Sequence, residues 1–245
     1  KKAVVIDPLR VDLILKLISE KGYFVNKIIN THEHADHTDG NRELVKETNA
    51  EVYCHYKAVD KVPCAKFGLL KDDVITIGDS IKLQVLDTPG HTLSHVCLLA
   101  SENNSLNNNT KYAIFSGDTL FNAGAGNVYS GNVDDLYNTF IDILYKLPNS
   151  TLVYPGHDYL ENNLKFTVSR EPSNTVALDL LEKLKNHDPH NPLVTTLGME
   201  KEFNTFFRLN NLDIINKLSQ DISDFPSNPT AKQVFVALRN IRNNW

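Results

Sequence analysis

Cysteine is scarce in this 245-residue chain: Cys54, Cys64 and Cys97 form an odd set with no C-x-x-C pair. That argues against a disulfide framework and a thiolate zinc site, and for a reducing compartment. All are expected to be buried as small apolar side chains. Basic charge is short as well: 25 Lys and Arg stand against 30 Asp and Glu, a net charge of −5, with no basic stripe. Nucleic acid and membrane surfaces are thereby excluded as partners, and an anionic substrate would need a local positive pocket. No apolar run reaches membrane-span length, and no signal-peptide pattern opens the chain. We expect a protein of the cytoplasm or an organelle lumen, not a secreted one, acting on a small molecule as a monomer. Serine nucleophile chemistry is not indicated, since no serine sits in a nucleophile-elbow pattern. Methionine occurs once, at Met199, and the first residue is Lys1; a removed leader or a trimmed sequence is expected.

What is present is a 41% hydrophobic, 22% charged composition, that of a globular protein with a sizeable core. One pattern recurs over the first two thirds. An apolar, β-branched run is followed by a turn that carries a ligand-type side chain. Lys27–Asn30 leads to His32, and Ile81–Leu86 leads through Pro89-Gly90 to His91. Tyr112–Phe115 leads through Gly117 to Asp118, and Thr151–Tyr154 through Pro155-Gly156 to His157. Such runs predict strands, with the ligand groups on loops at their ends, where they can converge. Helices are predicted between them at Val11–Glu20, Asn41–Thr48 and Asp134–Leu147, the last stopped by Pro148. Strands alternating with helices make this an α/β fold. The asparagine-rich stretch Ser101–Thr110 reads as a flexible hairpin insertion without function.

From Tyr159 onward the signal turns helical. Tyr159–Arg170, Thr175–His187, Phe203–Arg208, Ile214–Ser219 and Thr230–Arg242 are predicted helices, with a break at Glu171-Pro172. No strand signal of comparable strength appears there. The expected division is a catalytic domain over residues 1–162 and a helical, substrate-binding domain over 163–245.

The densest chemistry is Thr31-His-Glu-His-Ala-Asp-His37. His32 and His34 alternate, so an extended or loop backbone sends both to one side, toward one ion. Asp36 and His37 follow and suit a second ion beside the first. A site built from histidine and aspartate favours a catalytic centre with open positions over a structural one. His32, His34 and His91 would hold one ion, and Asp36, His37 and His157 the other. Asp118 is the natural bridge, because a carboxylate can give one oxygen to each cation. Two ions about 3.5–4 Å apart can share a water and bring its pKa toward neutrality. A bridging hydroxide is then the nucleophile, with Asp36 beside it, and the reaction class is hydrolysis. His95 is expected in a supporting or core role, His55 at the surface, and His187 and His190 at a helix end as caps or exposed residues. Glu33 should point away from the ions, and Asp39 should serve a turn or cap.

These stretches, with Thr88-Pro-Gly-His-Thr92, Ser116-Gly-Asp-Thr-Leu-Phe121 and Tyr154-Pro-Gly-His-Asp-Tyr159, resemble the motifs of the metallo-β-lactamase superfamily. The likeness is nearest to its hydroxyacylglutathione hydrolase (glyoxalase II) branch. Phe121–Gly126, Glu161–Phe166 and Glu202–Arg208 carry that narrower resemblance, and it runs over nearly the whole chain. It implies an αβ/βα sandwich with a dinuclear site at one edge and a helical C-terminal domain. The implied metal ligands are His32, His34, Asp36, His37, His91, Asp118 and His157. Zinc is the first expectation for two divalent ions per chain, with iron or manganese also compatible with such ligands. The implied reaction is hydrolysis of S-D-lactoylglutathione to D-lactate and glutathione, a step in methylglyoxal detoxification. A thiolate leaving group with a conjugate-acid pKa of about 8.5 needs no strong general acid.

The resemblance also implies a glutathione grip by Tyr129, Tyr159, Arg239 and Arg242, the last standing where the family commonly has lysine. Asn127 departs from the pattern, since the family usually places lysine or arginine there. Asn204-Thr replaces the usual Asn-Pro. A further N-terminal segment, which in the family forms the first strands, is absent, and its loss would bare a sheet edge. An alternative within the superfamily is a glutathione persulfide dioxygenase with a single iron, whose relatives generally lack the helical domain. A non-enzymatic binding protein of the same fold is the other alternative.

Overall fold

The computed structural model describes residues 1–104, 109–188 and 191–245. Two sheets lie at its centre. In the first, β1 (Lys2–Ile6), β2 (Phe24–Ile29), β3 (Glu51–His55) and β4 (Ala65–Leu69) pair in parallel in that order. The crossovers between its first three strands carry α1 (Val11–Lys21), then α2 (Ala35–Thr38) and α3 (Asn41–Thr48). In the second, β5 (Val74–Ile77), β6 (Ile81–Asp87), β7 (Val96–Asn104) and β8 (Asn109–Gly117) form an antiparallel meander. β11 (Leu152–Pro155) adds in parallel to β8. β12 (Thr195–Thr196) closes that edge as an antiparallel partner of β11.

Residue alternation along the strands builds the layers. On β7, Val96 and Leu98 face the other sheet, while Cys97 and Leu99 face the helices beyond. On β3, Val52 and Cys54 pack against α1 and α3, while Tyr53 turns to the inter-sheet core. A period of two with both faces apolar is what a sheet covered on each side requires. The outer face of the second sheet is covered by α4 (Val133–Asn138), α8 (Leu212–Asp221) and α9 (Ala231–Asn243), around Phe140, Phe206 and Phe235. A smaller core joins α5 (Leu160–Arg170), α6 (Thr175–Leu184) and α7 (Leu197–Phe203) through Leu164, Leu180 and Phe203. The architecture is an αβ/βα sandwich with a helical C-terminal region. It puts the ends of β1, β2, β6, β8 and β11 along one edge.

Several local expectations need correction. Asp134–Leu147 is not one α-helix: α4 ends at Asn138, a π-helical segment spans Thr139–Ile143, and a 3-10 turn spans Leu144–Lys146. The wide turn coincides with Thr139 turning its hydroxyl to Pro89 O, 2.8 Å away. The helix predicted at Phe203–Arg208 lies six residues earlier, as α7 (Leu197–Phe203), and Thr205–Phe207 is a 3-10 turn opened by Asn204. The C-terminal region does contribute a strand, β12, too short for a periodic signal. Cys64 is only half-buried, and His55 is buried in β3 with its ring against Asp87. The hairpin insertion is shorter than expected, since Ser101–Asn104 and Asn109–Thr110 belong to β7 and β8. Residues 105–108 and His190 lie outside the described residues.

Candidate metal centre

Each strand that reaches this edge ends on a side chain of the site. β2 runs into Thr31 and His32, and the backbone then tightens into α2, which carries Asp36 and His37. The extended or loop backbone expected for His32 and His34 is found, and the short helix begins only after it. The helix places Asp36 and His37 on successive positions of one turn, with His34 still extended before it (ψ 151°). β6 leads to His91, β8 to Asp118 and β11 to His157.

The ligand-type atoms converge into overlapping groups. His32, His34 and His91 form one, His32, His37 and Asp118 a second, and Asp36, His37 and His157 a third, with atoms within 4.8 Å of one another in each. Asp118 stands among them: its Oδ1 is 3.1 Å from His37 Nε2, and its Oδ2 is 3.7 Å from His91 Nε2 and 3.6 Å from His157 Nε2. Asp36 Oδ2 lies 3.2 Å from His157 Nε2 and is half exposed.

The outward nitrogens of these rings are held by the protein. His91 Nδ1 donates to Asn127 O at 2.8 Å, and His37 Nδ1 to Asp7 Oδ2 at 2.8 Å. His32 Nδ1 lies 3.0 Å from Thr31 Oγ1, whose hydroxyl donates to Asp7 Oδ2 at 2.7 Å. His34 Nε2 lies 2.9 Å from Ser130 Oγ. These partners leave His32 Nε2, His34 Nδ1 and His91 Nε2 facing inward, with His34 Nδ1 3.0 Å from each of the others. Three ring nitrogens turned on one point suit a shared cation. His37 Nε2 and Asp118 Oδ1 are buried 3.1 Å apart, and among the described residues neither makes a well-angled hydrogen bond, an arrangement that suits a cation shared between them. The donor set therefore fits divalent metal. Burial holds His32 well below the ordinary imidazole range and also lowers His91. His37 behaves oppositely: burial opposes its charge, but the Asp118 and Asp7 carboxylates outweigh it and push it up to about 10. Without metal, a proton at His37 balances those carboxylates, and a cation would take its place.

Around this cluster, His95 is fully buried, stacked on His32 at 5.0 Å, and its Nε2 accepts from Asp118 N at 3.2 Å. Glu33 turns away and accepts from Ser94 Oγ (2.9 Å) and Lys61 Nζ (3.0 Å). Asp39 closes α2 through its backbone N–H, which donates to Ala35 O at 2.8 Å. Gly117 (φ +47°) and Gly156 make the close approach possible. A Cβ on Gly156 would fall 2.5 Å from Asp118 Oδ1, and one on Gly117 2.5 Å from Thr31 Oγ1. Asp7, Thr31 and Ser130 escaped the sequence reading. Asp7 carried a usable signal, since it follows the apolar run Ala3–Ile6 as the other ligand residues follow theirs.

Beside the metal cluster lies a cavity of ≈ 210 Å³, lined among others by Asn127, Tyr129, Tyr159, Arg239 and Arg242. His157 joins the two, with its ring stacked on Tyr159 at 5.3 Å. Arg242 donates to Asn163 Oδ1 at 3.2 Å and lies over the rings of Phe166 and Trp245. Arg239 is buried, and its Nη1 donates to Ala125 O (2.6 Å) and Gly126 O (3.1 Å), while its Nε has no partner. Burial and the neighbouring Arg242 push it down to about 10. Asn127 spends its side-chain oxygen on Tyr129 N at 3.3 Å.

The sequence model of the metallo-beta-lactamase superfamily matches residues 1–157, and that of the hydroxyacylglutathione hydrolase C-terminus matches residues 158–245. The chain is 46% identical to a hydroxyacylglutathione hydrolase of Polaromonas sp. over 245 residues, all of this chain and 90% of the relative. The chain belongs to the hydroxyacylglutathione hydrolase family. A Nitrosococcus oceani hydroxyacylglutathione hydrolase is likewise 46% identical over the same coverage. Among solved structures, ETHE1 from Myxococcus xanthus superposes with a TM-score of 0.62 at 26% identity, covering 98% of this chain and 88% of its own. The family's metal-binding fold and its C-terminal helices are thus both present in this chain.

Proposed function

We propose that the chain is a metal-dependent thioesterase that hydrolyses S-D-lactoylglutathione to D-lactate and glutathione. The observation that carries this reading is the junction of a histidine and aspartate cluster with a cavity holding Arg239 and Arg242. We assign His32, His34, His91, Asp36, His37 and His157 as ligands of two divalent ions, zinc first, with Asp118 between them. When bound, such ions act as Lewis acids toward the thioester carbonyl and lower the pKa of water. Residues 1–162 would carry the chemistry and residues 163–245 most of the substrate grip.

The chain's own side chains divide the remaining work. Arg242 presents a planar guanidinium, suited to a carboxylate of the glutathione moiety. Tyr129 and Tyr159 offer phenolic hydroxyls beside it. The unpartnered Nε–H of Arg239 is a donor that a ligand oxygen can satisfy. Asp36, half exposed beside His157, is the carboxylate we assign to hold the proton that the attacking water gives up. The thiolate leaves unaided at neutral pH, since its conjugate acid has a pKa of about 8.5. A reducing compartment, cytoplasm or organelle lumen, agrees with three free cysteines.

The test is hydrolysis of S-D-lactoylglutathione by the purified, metal-loaded protein, followed by loss of the thioester. Turnover that is abolished by chelator and by His32→Ala is expected. Equal rates from wild type and His32→Ala would refute the reading.

A further inference from the structure

Glu200, on α7, is fully buried, yet its hydrogen-bond partners are all uncharged. Its oxygens accept from Thr195 Oγ1 (2.7 Å), Ala123 N (2.8 Å), Asn204 Nδ2 (3.0 Å) and Asn122 Nδ2 (3.4 Å). A carboxyl group buried without a cation is costly, and an apolar side chain would stabilise α7 more cheaply. The contacts show what it holds instead. Asn122 and Ala123 form the turn between β9 (Leu120–Phe121) and β10 (Gly124–Ala125). Strands of two residues cannot hold a hairpin by themselves. The turn is also strained, because Ala123 sits at φ +58°. Glu200 grips it from the helical side, and Asn204 adds a bond to Gly124 O at 3.1 Å. Phe121 and Ala125 of this hairpin, with Asn127 just beyond, line the cavity beside the metal cluster.

We propose that Glu200 is a positioning residue for substrate binding: by clamping the Asn122–Ala123 turn it sets the cavity wall against which the thiol moiety packs. This rests on the glutathione thioester reading above. A purely architectural Glu200 would loosen metal centre and cavity together, whereas a positioning Glu200 acts on the cavity wall alone.

The experiment compares full-length, metal-loaded wild type with Glu200→Gln, whose amide turns a donor toward groups that already donate. Trp245, the single tryptophan, lines the cavity and reports binding of S-methylglutathione by its fluorescence. The Kd is expected to rise about tenfold or more, while metal affinity by chelator competition stays within about threefold. Thr195→Val, which removes one donor and keeps the shape, should move the Kd the same way by a smaller factor, should Glu200→Gln not fold. An unchanged Kd in both variants, or Kd and metal affinity lost together, overturns the proposal. If wild type itself fails to bind S-methylglutathione, the substrate reading falls and takes this inference with it.

Discussion

Asp7→Asn isolates the support of the metal centre from the ligands themselves. Asp7 Oδ1 accepts from Thr31 N at 2.7 Å, and its Oδ2 accepts from Thr31 Oγ1 at 2.7 Å and His37 Nδ1 at 2.8 Å. Asparagine keeps the first bond and the shape. At the second oxygen it places an amide N–H facing the His37 Nδ1–H, donor against donor. The ring relieves this by moving its proton to Nε2, the nitrogen needed for metal. Outer-shell partners of metal-bound histidines are worth about 10–100-fold in affinity. Tenfold corresponds to about 1.4 kcal/mol, so a loss of about 1.4–2.8 kcal/mol is expected. The loss should be larger for the ion assigned to Asp36, His37 and His157, whose His37 Asp7 touches directly, than for the other, which Asp7 reaches only through Thr31 and His32. Titration against a chromophoric chelator resolves the two steps. Wild-type affinity at both positions would refute the role given to Asp7.

Gly156→Ala puts a Cβ 2.5 Å from Asp118 Oδ1 and 2.7 Å from His37 Cε1. It should cost at least about tenfold in affinity for the same ion. Metal retained after dialysis, measured on folded protein, checks this. Arg239→Met leaves Ala125 O and Gly126 O without their buried donor. At about 1–3 kcal/mol for each of the two carbonyls left unpaired, denaturant unfolding should show a loss of about 2–6 kcal/mol. Glu200 is pushed up to about 7 by burial, against the pull of its donors. Its folded pKa lies above the unfolded one, so the stability gained by protonation is complete at low pH and lost as pH rises through about 7. Stability relative to Glu200→Gln should therefore fall by on the order of 3 kcal/mol between pH 4.5 and 8, and a flat difference would contradict the burial.

The sequence showed the site better than its supports. Apolar runs ending in His32, His91, Asp118 and His157 are strong local signals, because a covered strand and a Gly-containing turn each leave a periodic or compositional mark. Ser130 carries none of that density and Asp7 only the apolar run before it, so their roles become plain once β1 lies beside β2 and Thr92 bridges to Ser130. Arg239 shows the limit in the other direction. The family resemblance implies a substrate cation at this position, and Arg239 does line the cavity. Its burial, however, commits Nη1 to backbone carbonyls of the hairpin. His55 differs for a similar reason: a lone histidine following a strand reads as surface, but it belongs to β3 itself, β4 pairs beside it and Asp87 Oδ1 lies 3.4 Å from its Nε2. The π-helical segment at Thr139–Ile143 coincides with a tertiary contact to Pro89, which periodicity does not encode.

The most direct test of the central claim joins metal content to turnover on one preparation. Two divalent ions per chain, with S-D-lactoylglutathione hydrolysed at a rate that chelation removes and metal restores, is the expected result. A chain carrying both ions that leaves S-D-lactoylglutathione intact, or one with a single iron that consumes oxygen with a glutathione persulfide, would contradict it.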